Sequence, residues 1–75
     1  MTADQVRETL RAQPFKPFRL VLTDGTGVDI SHPDFLLLAQ NGRTAAAAVG
    51  EVIKILDVAL ITAIEIGVGN GKRAN

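Results

Sequence analysis

The stretch FRLVLTDGTGVDI, residues 18 to 30, alternates side chains of opposite character on either side of an Asp-Gly-Thr-Gly centre. Phe18, Leu20 and Leu22 face one way and Arg19, Val21 and Thr23 the other, the period-two pattern of a half-buried strand. Gly25 and Gly27 can take the positive φ of a tight turn, and Val28 and Ile30 then resume the alternation. The pattern predicts a β-hairpin.

Two Pro-Phe pairs stand in front of it, Pro14-Phe15 and Pro17-Phe18. The prolines are expected to hold the link extended, so that Phe15 is delivered under an N-terminal helix and Phe18 at the start of the first strand. That helix is predicted over residues 3–12. Thr2 and Gln5 form a capping box, Met1 and Val6 stand where a hydrophobic staple puts them, Asp4 lies in the first turn and Arg11 in the last. Its apolar stripe, Val6 and Leu10, is too narrow to make a core alone, and Pro14 stops it.

Beyond the hairpin, His32-Pro33-Asp34 interrupts pairing because Pro33 has no N–H for a ladder. Phe35 to Ala39 is another apolar run, Asn41-Gly42 is the centre of a turn, and a strand should begin at Arg43. Gly50-Glu51 turns it back into Val52–Leu56, Asp57–Leu60 makes a short corner, and Ile61–Ile66 closes the domain. The domain therefore spans residues 1–66, and residues 67–75, poor in apolar side chains, read as a flexible tail. A helix competes for the second half: Val49, Val52, Ile53, Leu56, Leu60, Ala63 and Ile64 also fall at helical spacing, and four successive alanines favour one. The density of β-branched residues and the interior Gly50 favour strands.

Seventy-five residues make one small domain that leaves much of its surface in water, so help from a partner is expected. The chain has no cysteine, which removes disulfides and thiolate metal sites and suits a reducing, cytoplasmic setting. Eight basic and eight acidic residues cancel, so no global field steers the protein to nucleic acid or an anionic membrane. Met-Thr-Ala-Asp has neither the basic segment nor the apolar run of a signal peptide. Glu51, Lys54 and Asp57 interrupt the most apolar window, residues 45–66, so it does not read as a membrane span.

Chemistry-bearing constellations are sparse. Ser31, His32 and Asp34 have the residue types of a hydrolase triad, but successive side chains of an extended segment point apart, and His32 is better placed to bond backbone near the Pro33 bend. Asp24, Asp29 and Asp34 have the look of a single calcium-binding repeat, yet such loops work as stacked copies, so a turn is the better reading. GVGNGK near the end lacks the spacing, the Ser or Thr and the following helix of a phosphate loop. No enzyme activity, cofactor or metal is expected.

A short helix, five short strands, a bend after the second and a tight corner before the last resemble the Sm-like (Hfq-type) small β-barrel family. The matching segments are FRLVLTDGTGVDI for the first hairpin, DFLLL for an Asp-x-Phe-apolar segment, and IKILDVALITAIEI for the closing strand, corner and strand. PFKPFRL, HPDF and LITAIE are also similar to a group of short uncharacterised bacterial proteins. The resemblance implies a mainly β fold: an N-terminal helix followed by a five-stranded, strongly bent antiparallel sheet of Sm-like or SH3-like barrel type. It further implies ring-forming contacts between the strands that flank the final corner. The family's RNA site uses an aromatic, a lysine and a histidine before that corner and a Gln-Phe step in the middle strand. Here those places read Ile55, Leu56, Asp57 and Asp34-Phe35, so architecture carries over better than base recognition.

Two functions follow as expectations. One is a self-associating, non-catalytic interaction module with a protein partner. Thr44–Val49 is uncharged and free of proline and Ile61–Ile66 carries one charge, so neither has the residues that guard a free edge; Thr44, Ala46, Ala48, Ile61, Ala63, Ile64 and Ile66 are the expected edge of a homo-oligomer. The other is a single-stranded RNA-binding, post-transcriptional regulator that uses Arg7, Arg11, Lys16 and Arg19, with Phe35 as a stacking surface.

Overall fold

The computed structural model describes residues 1–67. The expected flexible tail, apart from Gly67, and the GVGNGK segment lie outside the described residues. Among the described residues the fold is mainly β, with one short helix and two three-stranded antiparallel sheets.

Helix α1 spans Ala3–Leu10, two residues short of the expected range. Its capping box forms as predicted: the Thr2 hydroxyl accepts from the Gln5 N–H at 3.3 Å, and the Gln5 side chain accepts from the Thr2 N–H at 3.0 Å. Arg11 already caps the C-terminus, and the chain bends at Gln13 and Pro14, so the pre-proline constraint ends the helix early. Val6 is buried, Leu10 packs beside it, and the helix lies alongside the third strand.

The first sheet has the order β2-β1-β6, with β1 at Phe18–Leu22, β2 at Gly27–Ile30 and β6 at Ile61–Ile66. Its hairpin has the expected register, Phe18 opposite Ile30 and Leu20 opposite Val28, all four buried. The Asp24 carboxylate accepts the Thr26 N–H at 2.9 Å, and that backbone bond above all holds its pKa below the ordinary aspartate value. Gly25 has φ +89 and open space where a Cβ would stand. Gly25→Val therefore meets backbone strain without a clash, and a loss of about 1–2 kcal/mol is expected because a side chain disfavours this region. A thermal melt checks it; a variant that melts with the parent would mean the turn does not need positive φ. On the other side of β1 the register to β6 shifts between Val21 and Leu22, and the Thr62 hydroxyl donates to the Val21 carbonyl at the irregularity.

The second sheet has the order β3-β4-β5, with β3 at Leu36–Leu38, β4 at Thr44–Val49 and β5 at Val52–Asp57. The helical alternative for the second half is thus excluded. Inward, Leu36, Ala45, Ala47 and Leu56 complete the core against β2, and Val58 and Ile61 close it at the corner. Asn41 Oδ1 accepts from the N–H groups of Arg43 and Thr44, and Gly42 has φ +71, which fixes the β3–β4 turn.

Two expectations are corrected. The five-stranded bent sheet is six strands in two three-stranded sheets without barrel closure; the 3-10 turn at Pro33–Phe35 interrupts pairing where Pro33 is expected to, and it separates β2 from β3. The placement of Thr44, Ala46 and Ala48 at an oligomer edge does not hold: β4 is the central strand and is paired to β3 and β5 on its two sides. An uncharged strand without proline is as characteristic of a sheet interior as of an unguarded edge. Ile61, Ala63, Ile64 and Ile66, by contrast, do lie in an outermost strand, β6.

Candidate interaction surface

The outer faces of the two sheets differ in kind. On the first, register places Arg19 between Asp29 of β2 and Glu65 of β6. Arg19 Nε donates to Asp29 Oδ1 at 2.7 Å, and a terminal guanidinium nitrogen stands 3.9 Å from Glu65 Oε1. The hydrogen bond to Asp29, and then its charge, raise the Arg19 pKa further. This row is polar and internally matched, as the solvated side of an antiparallel sheet often is, and the next row holds Val21 between Gly27 and Ala63.

The second sheet carries an apolar patch on its outer side, bounded at one end by the Thr44–Asp57 pair. Register aligns Leu37, Ala46 and Ile55 in one row and Ala48 with Ile53 in the next, all on the outer side, since the inward partners alternate with them. Leu37 is 70% exposed, Ile53 65% and Ile55 68%. Phe35 stands at the head of β3, 43% exposed, its ring 5.5 Å from that of His32. Between these ridges the alanines leave a groove of about 220 Å³, lined by Phe35, Leu37, Ala46, Ala48 and Ile53, with Asp34 at its margin. No charged side chain occurs in the two rows.

The fold does not bring the expected RNA-binding residues together. Arg7 is held by Asp4 at 2.7 Å within the helix, and Arg19 is held by Asp29 and Glu65. Arg11 and Lys16 are exposed, with no ion pair among the described residues. Lys16 borders a groove of about 340 Å³ between the helix end and Ile66. Phe35 belongs to the other sheet, and the groove it lines there includes none of the four cations. The Ser31-His32-Asp34 group is local capping: His32 Nδ1 accepts the Asp34 N–H at 3.1 Å and starts the 3-10 turn.

The outer face of the second sheet was not anticipated as a site. Its signal is present in LLL of β3 and in VIKIL of β5, which do not alternate cleanly between apolar and polar, as a strand buried on one side does. Of its members, Phe35 is singled out in the sequence as a stacking surface and Ala46 and Ala48 as a strand edge, none of them as part of an apolar face.

Both β5 and β6 are outermost in their sheets, and they flank the Val58–Leu60 corner. Asp57 Oδ1 accepts the Ala59 N–H at 3.0 Å and fixes that corner. No helix among the described residues is long and apolar enough to cross a membrane. Compared with protein-family models, with curated proteins and with solved structures, the chain finds no match.

Proposed function

We propose that this chain is a small, non-catalytic interaction module of Sm-like type that assembles with copies of itself through strand edges. The observation that carries the reading is the pair of outer strands on either side of the corner. β5 and β6 each run six residues without proline, each keeps one side unpaired among the described residues, and each holds a single basic or acidic residue before its end, Lys54 and Glu65. Such edges are open to another strand, and a domain this small gains covered surface by pairing them. In the Sm-like resemblance these two strands are the ones through which neighbouring subunits meet.

Single-stranded RNA as the ligand has less behind it, because two of the four cations proposed for it are matched by carboxylates on the same surface. Light scattering after size exclusion at micromolar concentration tests the edge reading. The parent is expected as an oligomer, and Ala63→Lys/Ile66→Lys, which places two lysines on β6, is expected to run at monomer mass while melting within a few degrees of the parent. A monomeric parent that binds mixed short RNAs with steep loss of affinity on added salt would replace this reading with the RNA one, since phosphate contacts release counterions.

A further inference from the structure

We infer that the outer face of the second sheet is a second, separate contact, and that its occupant is the same face of another copy, packed about a two-fold axis. The contact goes beyond edge assembly and shares with it only the identity of the partner.

The relief of the face identifies the occupant. In register, Ala48 lies beside Ile53 and Ala46 beside Ile55, so small and large side chains alternate across β4 and β5 in two successive rows. A two-fold axis parallel to the strands and midway between β4 and β5 sets each row against itself reversed. Ile53 of one copy then meets Ala48 of the other, Ile55 meets Ala46, and the reciprocal contacts follow. Large meets small at each of the four positions. The same operation carries the two β3 strands, with Asp34 and Phe35, to opposite margins, so no like charges meet within the rows. The groove of about 220 Å³ over the alanines is the space the partner's isoleucines enter.

The rows offer neither charge nor a hydrogen-bonding group, so shape alone selects the partner, and the relief of Ala46, Ile55, Ala48 and Ile53 is complementary to itself. The size of the face sets the strength. The two strands that overlap, about 4.8 Å apart, over about five residues at about 3.3 Å each, give a plan of roughly 10 by 17 Å. With side-chain relief that is about 200–250 Å² per copy. Two copies together cover about a quarter to a third of a standard interface of roughly 1,600 Å². The face alone therefore makes a pair that forms at high concentration and dissociates on dilution; copies already joined by their edges bind through it more tightly by avidity. Glu51, in the β4–β5 turn at one end of the axis, approaches its counterpart, so added salt should tighten the pair by screening that repulsion.

Sedimentation velocity from tens of micromolar to about a millimolar tests this, on the Ala63→Lys/Ile66→Lys chain so that the face is read apart from the edge. Dimers that accumulate with concentration and with salt are expected. Ile53→Lys and Ala48→Leu should each weaken them at least tenfold with an unchanged melt. Ala48→Leu decides, because it makes the face more apolar while filling the space the partner enters. Unchanged or stronger association in Ala48→Leu would show nonspecific stickiness and overturn the inference, as would a chain that stays monomeric throughout. Failure of the edge reading is seen elsewhere, as unchanged micromolar assembly when Ala63→Lys/Ile66→Lys is compared with the parent.

Discussion

Replacing Phe18 by alanine is expected to abolish cooperative unfolding or to lower the midpoint far below that of the parent. Phe18 is 1% exposed and is the largest fully buried side chain. It stands opposite the buried Ile30 in β2 and against the Phe15 ring, edge-on at 5.9 Å between centroids. Truncating a buried phenylalanine costs about 3–5 kcal/mol. At about 0.05–0.15 kcal/mol per residue, a domain of this length holds roughly 4–11 kcal/mol in all. The substitution therefore removes from about a third to all of the stability, and a midpoint shift well above 10 °C follows at about 4–8 °C per kcal/mol. A melt followed by near-ultraviolet circular dichroism or by calorimetry checks this. A variant that melts within a few degrees of the parent would show that the inward face of β1 is wrongly assigned.

Phe15 and Phe18 also account for the clustered Pro-Phe pairs. The link between α1 and β1 has to set one ring against the other while the chain changes direction, and Pro14 and Pro17 restrict the backbone on both sides of Phe15. That part of the fold was legible in the sequence, because local rules and tertiary packing agree there. The capping box, the Asp-Gly hairpin, the Asn41-Gly42 turn and the corner after Asp57 were legible for the same reason. Each is set by residues within a few positions of one another.

The sheet order was not legible. Nothing local tells that Thr44–Val49 lies between two strands and Ile61–Ile66 beside one, since the difference is made by β3 and β5, and β3 is a three-residue strand that only exists once Pro33–Phe35 has turned the chain. The outer apolar face was missed for a related reason. A residue such as Ile53 looks like core in a one-dimensional pattern; only the register, which puts Ala47 inward and Ala48 outward, reveals that a second apolar layer faces away from it. The four cations proposed for RNA illustrate the converse. Arg19 looked available as one member of an alternating strand, and its two carboxylate neighbours come from β2 and from β6, the latter more than forty positions along the chain.

The alanine run offers the sharpest check on that register. Ala45 and Ala47 are buried and Ala46 and Ala48 are not, so two chemically identical substitutions one position apart should have opposite consequences. Alanine is a poor strand former by intrinsic preference, and its presence at 45 and 47 is explained by the close approach of β2, whose Val28 and Ile30 fill the core against β4. Ala47→Leu adds three carbons to a position that is 0% exposed, opposite Leu36 on one side and Lys54 on the other. Overpacking of this kind costs about 1–3 kcal/mol. A midpoint lowered by roughly 5–20 °C is the expected result. Ala46→Leu, pointing outward between Leu37 and Ile55, should leave the midpoint within a few degrees of the parent. A one-residue slip of β4 would exchange the two faces and therefore the two outcomes. If Ala46→Leu is the damaging variant and Ala47→Leu the neutral one, the assignment of inner and outer face on the second sheet is reversed, and the docking surface built on Ala46, Ala48, Ile53 and Ile55 goes with it.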